Sequence, residues 1–168
     1  SNGMLELTED CSRTVTPIRL VDSPGFAPVF GEIDVVGVVV LLKLPEQTRG
    51  VTVVYLSDLD GHYLSITFWT SLSVFGCEDL MAEGSVLSCS NLQWRSVSNQ
   101  RKIPSVFASE ITSFSLNPKE THLQQSVAEL KSKIVDKDVE DLVHQARAHI
   151  LQTSGFRDSS SSPAPSSS

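Results

Sequence analysis

The chain has 168 residues, enough for one domain with a sizeable core, and its 40% hydrophobic and 20% charged content is that of an ordinary globular protein. Its longest apolar run, VVGVVVLL at 35–42, falls far short of the ~20 residues a membrane helix needs, so no membrane association is expected. A net charge of −7 argues against a uniformly basic nucleic-acid binder, although no acidic residue occurs from Gly84 to Ser109, where Arg95, Arg101 and Lys102 stand.

Residues 1–30 form an N-terminal extension punctuated by Pro17, Pro24, Gly25 and Pro28 and expected to be extended and weakly structured; SNG at its start has the look of a cloning remnant. No basic segment followed by an apolar one opens the chain, so no secretory signal is expected. Five strand-like runs follow. Glu32 to Leu44 is long and β-branched, and Gly37 in its middle predicts a bulge or bend. Val51 to Ser57 and His62 to Trp69 come next, separated by DLDG at 58–61, which reads as a turn because it lacks the later ligands of a calcium loop. Ser71 to Ala82 carries mixed signals. Ser85 to Arg95 and Ile103 to Phe114 complete the set.

A helix is predicted to start at Asn117, with Pro118 in its first turn and Glu120 completing a capping box. Leu123, Val127, Leu130 and Ile134 then make one apolar stripe. Val139, Leu142, Val143, Ala146 and Ile150 make a second, with Asp136 and Asp138 suited to its N-terminus. From Thr153 the Ser/Pro-rich tail has little to bury and is expected to be disordered.

This order predicts a mainly β fold: a five-stranded Greek-key barrel of the OB type over residues 31–116, a helical segment over 117–152, and the tail over 153–168. Alternation places Val54, Leu56, Leu64, Ile66 and Phe68 inside, and Tyr55 and Trp69 outside; a C-terminal helix packed over Trp69, making it core, is the alternative. An OB barrel takes its ligand across strands 2 and 3, between the loops joining strands 1–2 and 4–5. Those loops bring Lys43 and Arg49 on one rim, and Trp94, Arg95, Arg101 and Lys102 on the other. Cations around exposed rings are what a sequence-tolerant single-strand binder uses. A groove or helical stripe that docks a peptide or neighbouring domain is the alternative, and the −7 charge favours it.

No catalytic constellation, cofactor motif or metal-ligand spacing is found among the four histidines and three cysteines. Cys11, Cys77 and Cys89 are too dispersed for a disulfide framework and read as reduced thiols. A monomeric, non-catalytic binder is expected.

The segments EIDVVGVVV (32–40), VYLSD (54–58), LSITFW (64–69), SNLQWR (90–95) and FSLNPKE (114–120) closely resemble the third, C-terminal OB-fold of the breast cancer type 2 susceptibility family, over roughly residues 17–151. The resemblance implies one module of a single-stranded DNA-binding region, which lies beside a further OB-fold in a nuclear tumour suppressor. It further implies a part in homologous recombination repair of DNA damage, with the recombinase contacts elsewhere in the longer protein.

Overall fold

A computed structural model describes residues 13–21, 23–48, 50–69, 72–95 and 102–154. Strand β1 (Glu32–Lys43) is the spine of the molecule. Its first half pairs antiparallel with β4 (Val86–Gln93) and its second half with β2 (Thr52–Ser57), the exchange falling at Val38, which faces both Val86 and Ser57. β2 pairs with β3 (Tyr63–Phe68) across the Asp58–Gly61 turn. In that turn the Asp58 carboxylate accepts hydrogen bonds from the backbone amides of Asp60 and His62.

The ring closes through the fifth run, which is two short pieces rather than one strand. β5 (Ser105–Phe107) lies parallel to β3 and meets β4 at Phe107, while β6 (Ser113–Ser115) continues along the same edge of β4. The break is a turn at 109–112, where Ser109 N–H donates to Thr112 Oγ1 and Thr112 N–H to the Ser109 carbonyl. Between β3 and β4 the chain makes two 3-10 turns, Leu72–Phe75 and Glu78–Leu80.

Gly37 was expected at a bulge, but β1 shifts register on either side of it, between Ile33 and Val35 and between Val39 and Leu41. What Gly37 provides is room: a Cβ there would lie 2.8 Å from the Leu56 Cβ. Residues 13–21 of the extension are also more ordered than its prolines suggest. Val15 bridges to Asp34, and the one-turn helix α1 (Ile18–Val21) buries Ile18 and Val21 in the barrel core, as their i, i+3 spacing permits. A second single turn, α2 (Pro45–Thr48), joins β1 to β2.

Two apolar layers share the sheet. The barrel interior holds Val35, Val39, Val54, Leu56, Leu64, Ile66, Phe68, Leu87 and Leu92. On the outer face Val36, Val38, Val40, Val53 and Tyr55 lie in one cluster with Leu123, Val127 and Leu130 of α3 (Thr121–Ile134) and Ala146 and Ile150 of α4 (Val139–Ser154). The continuous apolar run of β1 follows from this arrangement, because a strand covered on both faces has no polar side to alternate.

Helix α3 begins three residues after the proline expected in its first turn. Ser115 Oγ accepts the Asn117 amide, which turns the chain, and the cap is Glu120, whose side chain makes no capping bond. At α4 the Asp138 carboxylate accepts the Asp141 amide at 3.3 Å, as an N-terminal aspartate should. Lys133 of α3 pairs with Asp60 of the β2–β3 turn at 2.7 Å.

Candidate nucleic-acid interface

The helices decide which part of the outer face is open. They cover Tyr55, which is 3% exposed, so the outward residue of β2 is core and not a platform. Alternation separates the two faces of a strand correctly here, but a helix packed on the outer one makes both of them dry. Tyr63, one step from the turn on β3, stacks on His149 of α4 with ring centroids 5.0 Å apart. Trp69 shares that face at the far end of the strand and is 61% exposed.

Parallel pairing of β3 with β5 sets Thr67 beside Phe107 and so brings Trp69 next to the Phe107 ring. The two rings are 5.9 Å apart and within 9° of parallel. Gln93 of β4 faces Phe107 across the closure, and Arg95, two residues on, lays its guanidinium over the same ring at 5.1 Å. That distance is within cation–π range. The three groups line an open cleft of about 750 Å³, walled further by Phe75, Gln93 and the Ser109–Ile111 segment. Glu110 and the 55%-exposed Ile111 stand on that wall.

The other expected contributors distribute differently. Lys43 is a strand residue opposite Val53 and only 3% exposed, so it does not stand on the loop rim. Trp94 points away from Arg95, as neighbours on a chain leaving a strand do. It packs edge-on against Phe26 at 5.7 Å, and its buried Nε1 has no hydrogen-bond acceptor among the described residues. Lys102 is exposed but does not line the cleft. Arg49 and Arg101 lie outside the described residues.

Phe107, the centre of the array, was not singled out from the sequence. The signal was present in SVFA at 105–108, where Val106 and Ala108 alternate inward and leave Phe107 outward, but reading 103–114 as one strand obscured it. Among the described residues, no group of three His, Cys, Asp or Glu is placed to hold a metal. None of their helices is long and apolar enough to cross a membrane. Cys77 and Cys89 are buried free thiols; burial pushes the Cys77 thiol up to about 11 and the Cys89 thiol up as well.

A ring of strands closed through a parallel β3–β5 pair, wrapped on one side by C-terminal helices, defines an OB-fold domain. Residues 13–155 match the family described as BRCA2, oligonucleotide/oligosaccharide-binding, domain 3, and the chain belongs to that family. Among solved structures it is similar to one titled "Crystal structure of S. pombe Stn1-ten1 complex", with 15% identity, a TM-score of 0.39, and coverage of 70% of this chain and 77% of that one.

Proposed function

We propose that this domain binds single-stranded DNA without catalysing a reaction, and that Trp69, Phe107 and Arg95 form the platform on which bases stack. The observation that carries the reading is Trp69 itself, a large ring held parallel to a second one yet 61% exposed. A preformed stack with one face open suits a flat ligand, and every base has such a face. The acid-free stretch 84–109 supplies Arg95 to it, and the same stretch carries Lys102 and Arg101 as further candidate phosphate partners. Family membership supports the finer reading: a monomeric unit of a longer nuclear protein, seated beside another OB-fold, that serves homologous recombination repair while recombinase contacts lie elsewhere in that protein.

Fluorescence anisotropy with labelled oligo(dT) at several salt concentrations tests this. With three to five cations meeting phosphates, the log–log salt slope is expected at about −2 to −4, from ~0.7 per phosphate. Trp69→Ala is expected to weaken binding by the ~1–3 kcal/mol of one lost stack, leaving the slope unchanged. A slope near zero, or preference for duplex, refutes the reading and turns attention to a docked peptide, which the −7 net charge favours.

A further inference from the structure

Behind the cleft wall, a chain of hydrogen bonds runs back into the fold. Asp34 sits between the shifted registers of β1 and is 5% exposed. Its Oδ2 accepts from Arg13 at 2.7 Å and lies 2.7 Å from His122 Nε2 near the start of α3. Its Oδ1 accepts the backbone N–H of Asn91 at 2.9 Å. Asn91 stands at φ 61°, a left-handed conformation that asparagine tolerates better than most residues but that still needs holding in a strand. Its carbonyl accepts the Thr112 hydroxyl at 2.8 Å, and its Nδ2 donates to the Ile111 carbonyl at 3.4 Å. Thr112 Oγ1 in turn accepts the Ser109 amide at 2.9 Å. Ser109, Glu110 and Ile111 are the wall of the cleft.

We propose that Asp34 and Asn91 are positioning residues for the aromatic cleft: the buried carboxylate fixes the left-handed Asn91, and Asn91 fixes the 109–112 turn as the cleft wall that faces Trp69 and Phe107. The inference rests on the single-strand reading above. Three features separate it from a role in folding alone. The chain of bonds ends on a surface turn and not in either apolar layer. Both strand pieces flanking that turn, β5 and β6, already have their own partners in the sheet. And the turn places the exposed Ile111 on the cleft side, where a ligand would meet it. The same carboxylate also connects the wall to His122 and to Arg13, so α3 and the N-terminal segment bear on the gap without touching it.

Oligo(dT) affinity measured on Thr112→Val, in the parent protein and in a Trp69→Ala background, decides the matter. The substitution keeps the shape and removes only the hydroxyl that joins Asn91 to Ser109. Affinity is expected to fall about threefold to tenfold, the net value of one hydrogen bond. The salt slope should not move, because no cation is lost. In the Trp69→Ala background the loss should shrink, because the wall then faces a platform without its most exposed ring. Equal affinity, an equal loss in both backgrounds, or failure of Thr112→Val to fold each overturns the proposal. Asp34→Asn tests the far end: the same coupled loss supports it, whereas unaltered affinity or an unfolded protein confines Asp34 to stability. Failure of the parent protein to bind oligo(dT) would instead refute the function on which the inference rests.

Discussion

Tyr55→Ala separates the two apolar layers from the binding face more sharply than any other change. The ring lies mid-strand on β2, opposite Leu41 and Ser65, in one cluster with Leu123, Val127, Ala146 and Ile150. At 3% exposure almost all of its surface is withdrawn from water. Truncating a buried aromatic costs about 3–5 kcal/mol, combining lost transfer energy with a cavity that the helices can only partly close. Against the ~5–15 kcal/mol of a typical domain, that is a fifth of the total or more. With a urea slope of ~2 kcal/mol/M the midpoint should fall by roughly 1.5–2.5 M, followed by circular dichroism. Tyr55→Phe keeps the ring and should cost less than ~1.5 kcal/mol. Neither variant should change oligo(dT) affinity per folded molecule. A Tyr55→Ala protein that melts within 1 kcal/mol of the parent, or that stays folded and binds more weakly, would show that the helices do not cover β2.

Gly37→Ala should destabilise by ~1–3 kcal/mol in the same urea melts, because its Cβ would meet the Leu56 Cβ at 2.8 Å and that atom cannot swing aside; a variant as stable as the parent would mean that β1 and β2 separate freely. Acid should act through Asp34. Burial alone would raise its pKa, but hydrogen bonds from Arg13, the Asn91 amide and His122, with the Arg13 charge, outweigh it and hold the carboxyl below its usual 3.8. A depressed folded-state pKa means stability present above the unfolded value and lost as pH falls through the folded one. Melts of the parent and of Asp34→Asn should therefore converge below pH 4, and a gap that stays constant through that range would contradict the assignment.

Much of the barrel could be read from alternation alone. Leu64, Ile66 and Phe68 are fully buried, as are Val54 and Leu56, because period two leaves a half-buried strand one way to face. The stripe of α3 was equally legible. What alternation does not report is whether the second face is wet. Tyr55 was placed on an open groove for that reason, and Lys43 on a rim because it borders the loop after β1, although the unbroken VVGVVVLL of β1 already indicated cover on both sides. The cleft depended on β3 and β5 lying parallel, a pairing between segments some forty residues apart for which local pattern carries no signal. Trp69 could be assigned to a face but not to Phe107. Asp34 was one acid among twenty in the sequence, and nothing near it pointed to Asn91 or His122.

The double role of β1 also has a consequence in time. Its second half finds β2 within a few residues, but Ile33 must wait for Leu92 to be synthesised. At ~5–20 residues per second on the ribosome, an interval of some sixty residues leaves that half without its partner for about 3–12 s. A bare β-branched strand is a template for other chains during such a delay. Within EIDVVGVVVLLK the charged side chains are Glu32, Asp34 and Lys43. A carboxylate in the waiting half deters pairing with a neighbour's apolar strand, as gatekeeper charges do. Asp34 is such a charge, present in the waiting strand before Asn91 and His122 have been synthesised to close around it.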